Sequence, residues 1–102
     1  MKLMPALFAA LALTSAAGMA QADVRPDEIA GLQKAGTVGD LQKFNEQALK
    51  AKPGFTIHDT ELDKNASGQY VYEIELRDAS GKEWDYHVNA KDGTVLVDKE
   101  DR

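Results

Sequence analysis

The chain has 102 residues, a formal charge of −5 and no cysteine. Lack of thiols excludes a disulfide scaffold and a cysteine nucleophile, and the acidic balance argues against nucleic acid or an anionic lipid surface as partner. A chain this short supports one small domain, which must draw its stability from a single well-packed pair of layers.

Met1 and Lys2 are followed by the apolar run "LMPALFAALAL" and by small residues ending in "GMAQA", and no further charge occurs before Asp23. Ala20 and Ala22 stand at the −3 and −1 places of an A-x-A cleavage box, so residues 1–22 read as a secretory signal peptide cut after Ala22. A membrane span needs about 20 strongly apolar residues, and the second half of this stretch dissolves into Ala, Ser, Gly, Gln and Thr. No cysteine follows for lipid attachment, so the pattern predicts no stable membrane anchor. The short signal looks bacterial, and the chain is expected to be exported through it; its resemblance to a known family, given below, implies the periplasm as its destination.

Residues 23–36 form an N-terminal segment. Pro26 suits a first helical position, with Asp27 and Glu28 in the positive first turn. Ile29 and Leu32 share a face and Gly36 ends the run, which predicts a short helix. The main domain is expected over residues 37–102. "TVGDLQKFNEQALKAKPG" reads as an amphipathic helix. Thr37 serves as cap with Asp40 three residues on, and Leu41, Phe44, Ala48 and Leu49 form one apolar stripe. Pro53-Gly54 stops it.

Beyond Pro53 the period becomes two. "FTIHDTEL" is a weaker strand, "QYVYEIELR" and "KEWDYHVN" are strong ones, and "TVLV" closes the set. The linkers "KNASG", "DASG" and "AKDG" each end in glycine, as hairpin loops require, and the N-glycosylation pattern "NAS" at Asn65–Ser67 is read as a loop. The predicted fold is α+β: an N-terminal helix packed on one face of a four-stranded antiparallel β-meander.

A three-residue loop Ala79-Ser80-Gly81 fixes the register of the central hairpin. It pairs Asp78 with Lys82, Arg77 with Glu83, Leu76 with Trp84, Ile74 with Tyr86 and Tyr72 with Val88. Those apolar pairs face the helix, with Trp84 and the tyrosines expected against Leu41, Phe44 and Leu49. On the other face Glu75 meets Asp85 and Glu73 meets His87. Glu73, Glu75, Asp85 and His87 are therefore the candidate cation site, weighed against a merely solvated face, since carboxylates on a flat sheet rarely converge on the six to eight oxygens calcium prefers. The parity of the last strand is open: either Leu96 or the pair Val95 and Val97 points inward. Outward valines beside Val71 would make an apolar strip suited to a homodimer.

Catalytic signatures are missing: there is no G-x-S-x-G, no H-E-x-x-H and no glycine-rich phosphate loop. His58, beside Asp59 and Glu61, could supply an acid/base group, but no sheltered pocket is evident. No cofactor, metal requirement or catalytic residue is assigned, and the chain is read as non-enzymatic.

"PGFTIHDTELDKNASGQYVYEIELRDASGKEWDYHVNAKDGTVLVDKED", with its "YEIELRD" and "GKEWDYHVNAKDGTVL" core, resembles the PepSY domain family. The resemblance covers about Asp40 to Asp98 and implies a PepSY/cystatin-like arrangement. It also implies a kinship with propeptides that restrain thermolysin-type metallopeptidases and assist their folding. This chain carries no peptidase, so any restraint would act in trans, on an unidentified protein partner in the periplasm. A cation- or stress-responsive accessory protein and a structural or dimerisation module are the alternatives. The family offers no catalytic residues to carry over.

Overall fold

The computed structural model describes residues 21–101, and the change of period at Pro53 divides them. Before it lie a short strand β1 (Gln21–Asp23) and two helices, α1 (Pro26–Lys34) and α2 (Leu41–Ala51). After it come four strands: β2 (Phe55–Asn65), β3 (Tyr70–Asp78), β4 (Glu83–Asn89) and β5 (Val95–Asp101). The four form the expected antiparallel meander, and β1 adds to the free edge of β2 to give the order β1-β2-β3-β4-β5. Most of the expected signal peptide lies outside the described residues, and the cut expected after Ala22 falls inside β1. Among the described residues no helix is long and apolar enough to cross a membrane.

Both helices start where the chemistry of their first turn allows. Pro26 opens α1 with Asp27 and Glu28 behind it, and the Glu28 side chain accepts the Arg25 N–H at 3.2 Å. The helix closes as Thr37 N–H reaches Leu32 O at 3.0 Å and Gly36 N–H reaches Gln33 O at 3.1 Å, the paired bonds that satisfy orphan carbonyls at a helix end. The cap of α2 is Asp40, which accepts the Gln42 N–H at 3.0 Å, and not Thr37 as the sequence suggested. Thr37 is committed to the end of α1, and Gly39 N–H is tied to Ala90 O at 2.7 Å. The chain is thus held on the sheet until residue 40, so the helix cannot begin earlier.

α2 lies on the inner sheet face. Phe44 and Ala48 are buried there with Val38, Leu62, Tyr72, Ile74, Leu76, Tyr86, Val88 and Ala90. Ile74 and Leu76 have no exposed surface, and burying each contributes about 1.5–3 kcal/mol before entropy is counted. The buried tyrosines end in polar partners on α2: Tyr72 Oη donates to Asn45 Oδ1 at 2.8 Å, and Gln47 Nε2 donates to Tyr86 Oη at 3.0 Å.

The central hairpin has the expected register, from Arg77 opposite Glu83 to Tyr72 opposite Val88. Its loop turns at Gly81, whose φ of 90° is a left-handed conformation that side chains resist. Asp78 Oδ1 accepts from Ser80 N, Ser80 Oγ and Lys82 N. The "NASG" loop between β2 and β3 repeats that geometry, with Asn65 Oδ1 accepting from Ser67 N, Ser67 Oγ and Gln69 N.

Three packing expectations need correction. Leu49 is 40 % exposed and lies outside the hydrophobic core. Trp84 sits at the margin of the core, its ring edge-on to Phe55 at 6.1 Å and beneath Lys52 Nζ at 4.1 Å. The turn at Pro53-Gly54 brings Lys52 and Phe55 over the indole, while Phe44 lies against Tyr72 farther along the sheet. The last strand takes neither predicted parity. A register shift leaves Leu96 unpaired, with Val95 opposite Val88 and Val97 opposite His87, so the two valines fall on opposite faces. Val71 is buried, and the outward apolar strip of Val71, Val95 and Val97 therefore does not form.

Candidate functional site

The outer sheet face is built by alternation, and its rows can be read directly across the strands. Asp23, Asp63, Val71 and Asn89 form the first row; Glu61, Glu73, His87 and Val97 the second. Asp59, Glu75, Asp85 and Lys99 form the third; Thr56, Arg77, Glu83 and Asp101 the fourth. Nine of these sixteen residues are carboxylates. A bulge between Ile57 and Asp59 makes the third row possible, because the extra residue His58 shifts the parity of β2. His58 itself is exposed at this bulge.

The four candidate residues Glu73, Glu75, Asp85 and His87 line one shallow, open depression of about 170 Å³ together with Asp59 and Glu61. Burial and the nearby Asp101 push the Asp85 carboxyl above its ordinary range. Among the described residues, however, carboxylate oxygens converge to within 4.8 Å in two other groups. One is Glu75, Glu83 and Asp101; the other is Asp23, Glu61 and Asp63. In the first group Glu83 is already engaged, since Arg77 Nη2 donates to its Oε2 at 2.6 Å.

The second group has a different electrostatic character. Asp63 is only 3 % exposed, and its Oδ1 has no hydrogen-bond partner. Burial first, then hydrogen bonding to Asp23 and Glu73, pushes its carboxyl up to about 8. Hydrogen bonding to Asp23, burial and the repulsion of Asp23, Glu73 and Asp59 push Glu61 up to about 7. Asp23 moves the other way, held below the ordinary range by the protons that Asp63 and Glu61 offer it. The three therefore either share protons near neutrality or need a positive charge among them. The ion pairs of the described residues lie elsewhere, at Arg25–Asp27, Lys52–Asp98 and Arg77–Glu83. Lys64 belongs to the inner face, with its Nζ 5.6 Å from the Tyr70 ring centroid.

Asp23, Glu61 and Asp63 escaped the sequence reading because it ended the second strand at Leu62 and gave Asp23 no strand partner. The signal was present: the "NASG" loop has the chemistry of "DASG", and the same pairing rule run backwards sets Asp63 opposite Val71 and Glu61 opposite Glu73. The cluster can hold protons or a hard cation, and open depressions of about 450 and 240 Å³ adjoin Asp23.

Residues 46–97, more than half of the chain, match the family described as PepSY, "Peptidase propeptide and YPEB domain". The match runs from within α2 into β5, so Glu61 and Asp63 lie inside it and Asp23 outside. The chain is also 30% identical over 64 residues to the "Uncharacterized protein YkoJ" of Bacillus subtilis (strain 168). The shared stretch is 63% of this chain and 37% of YkoJ, so the chain spans little more than a third of that relative. No solved structure matches.

Proposed function

This chain belongs to the PepSY family of peptidase-propeptide-like domains, and from that premise we propose that it works as a non-enzymatic binding module in the periplasm. It docks there on a peptidase or another envelope protein and restrains it in trans. The observation that carries this reading is the open edge of β5. Among the described residues this strand pairs on one side only, with β4, and at its bulge Val95 and Leu96 are 45 % and 44 % exposed. An unpaired row of backbone N–H and C=O groups next to apolar side chains is what an extended segment needs in order to add as a further strand.

The test is titration of the purified protein against a thermolysin-type metallopeptidase from the same cell envelope, beside the variants Val95→Lys and Leu96→Lys. Stoichiometric inhibition that both variants lose, with unchanged melting temperatures, supports the reading. Full peptidase activity in the presence of excess wild-type protein removes the restraint role. Inhibition that survives both substitutions moves the docking surface off β5.

A further inference from the structure

We propose that Asp23, Glu61 and Asp63 form a calcium site that fastens β1 to the edge of the sheet. The ligands are all carboxylate oxygens, and one from each residue lies within 4.8 Å of the others. Calcium–oxygen distances of about 2.3–2.6 Å place oxygens on opposite sides of the ion about 4.6–5.2 Å apart, so the group needs little adjustment to close around one. With no nitrogen or sulfur donor in it, the set suits a hard cation rather than zinc or copper.

A cluster of acids on a wet sheet face would ordinarily be solvated and nothing more. Asp63 sets this one apart. It is 97 % removed from solvent, none of the ion pairs among the described residues involves it, and its Oδ1 accepts no hydrogen bond from them. A buried carboxylate oxygen left without a donor is costly, of the order of a lost hydrogen bond or more. Asp23 and Glu61 are exposed beside it, so water can reach the same point and complete the six to eight oxygens that calcium takes.

The geometry also explains why the third ligand comes from a strand of three residues. β1 meets β2 at Gln21–Asn65, Ala22–Lys64 and Asp23–Asp63, and Val24 N–H adds one more bond, to Leu62 O at 2.9 Å. Such a short strand is weakly held by its ladder alone, the more so in a chain cut after Ala22, where Asp23 is all that is left of it; at that last pair two aspartates stand directly opposite, which is repulsive. A divalent ion between them converts that repulsion into a cross-link. Glu61 and Asp63 lie inside the stretch matched to the family and Asp23 outside it. The site sits at the opposite end of the strand order from β5 and stands whether or not β5 docks on a partner.

The experiment uses the purified protein, freed of metal with a chelator at about pH 7.5. Melting and calorimetric titration follow, with calcium chloride, with magnesium chloride, and with sodium chloride of matched ionic strength. Wild-type protein is expected to bind one calcium with a dissociation constant of about 0.1–1 mM, the range of extracellular sites with few ligands, and to melt several degrees higher in millimolar calcium. Asp63→Asn and Glu61→Gln should each abolish the shift while keeping the far-ultraviolet circular dichroism. Asp101→Asn, in the other carboxylate group, should leave it intact. No calcium-specific shift in the wild type, or the same shift in both Asp63→Asn and Glu61→Gln, overturns the site. An equal or larger shift with magnesium overturns its assignment to calcium.

Discussion

Replacing Asp63 by asparagine tests the electrostatics of the β1–β2 edge through pH. In the folded protein Asp63 rises from an ordinary 3.8 to about 8 and Glu61 from 4.5 to about 7. A carboxyl with a raised pKa holds its proton more tightly when folded, so between its unfolded and folded values the native state binds more protons. Its stabilising effect is therefore full below about pH 4 and is lost as pH climbs toward 8. The steepest loss a single group can impose is about 1.4 kcal/mol per pH unit, giving a ceiling of about 4 kcal/mol for Asp63 between pH 5 and 8. Solvent reaching the cluster past the exposed Asp23 and Glu61 lowers this to about 1–3 kcal/mol. Asparagine keeps the shape of the neutral acid and cannot ionise. The wild type should then lose stability from about pH 5 to 8, and the variant should lose markedly less. Urea unfolding followed by Trp84 fluorescence, in chelator and at several pH values, reads both slopes. If the variant and the wild type differ by the same amount at both ends of the range, Asp63 does not carry the excess proton.

On the acid side the order reverses: hydrogen bonds from Lys52 and Trp84 hold Asp98 below its ordinary range, so its contribution is lost as pH falls under about 4, and the wild-type stability maximum should lie near pH 4–5. Trp84→Ala removes the edge contact with Phe55, the ring beneath Lys52 and the 2.6 Å bond from Nε1 to Asp98; because the indole is only partly buried, the expected cost is about 2–4 kcal/mol, under that of a fully buried aromatic, as read by thermal or, for this variant, circular-dichroism-detected urea melts. Gly93→Ala forces a side chain into φ +83° with its Cβ 3.0 Å from Gln47 Oε1 and Phe44 Cε1, and should cost about 2–3 kcal/mol. The control Gly68→Ala, at φ +88° with nothing within 4 Å, should cost only about 1 kcal/mol; equal losses would mean that the contact with α2 contributes nothing.

What the sequence made legible was whatever is set by local chemistry. Three loop residues, Ala79 to Gly81, fix the parity of a hairpin, and from it every pair between Arg77–Glu83 and Tyr72–Val88 follows. Pro53-Gly54 stops α2 because proline removes a donor and glycine turns the chain. Features set by distant parts of the chain were not legible. β1 is "QAD", three residues without a strand pattern, and only its docking forty residues away on Asn65–Asp63 makes it a strand. The unpaired Leu96 hides in "TVLV", a run so uniformly apolar that no alternation marks the slip. Leu49 satisfies the helical period yet lies 40 % exposed, while Asn45 and Gln47 take the inward places because Tyr72, Tyr86 and the Gly93 carbonyl need partners there.

The distribution of bases explains why the acidic face is strained at one end. In the row of Thr56, Arg77, Glu83 and Asp101 the guanidinium of Arg77 compensates Glu83 directly. In the row of Asp59, Glu75, Asp85 and Lys99 a lysine closes the line. The row of Asp23 and Asp63 continues into Val71 and Asn89 and contains no basic side chain, so neutralisation there comes from protons, from an ion in solution or, in a chain cut after Ala22, from the new α-amino group of Asp23. The edges of the sheet are thereby specialised in opposite senses, β1 by charge and β5 by exposed Val95 and Leu96. A change at Asp63 should alter the response to calcium and pH without touching partner restraint, and a lysine at Leu96 should do the reverse. Loss of both properties in either single variant would mean that the edges are coupled through the sheet, since no described contact joins β1 to β5 directly.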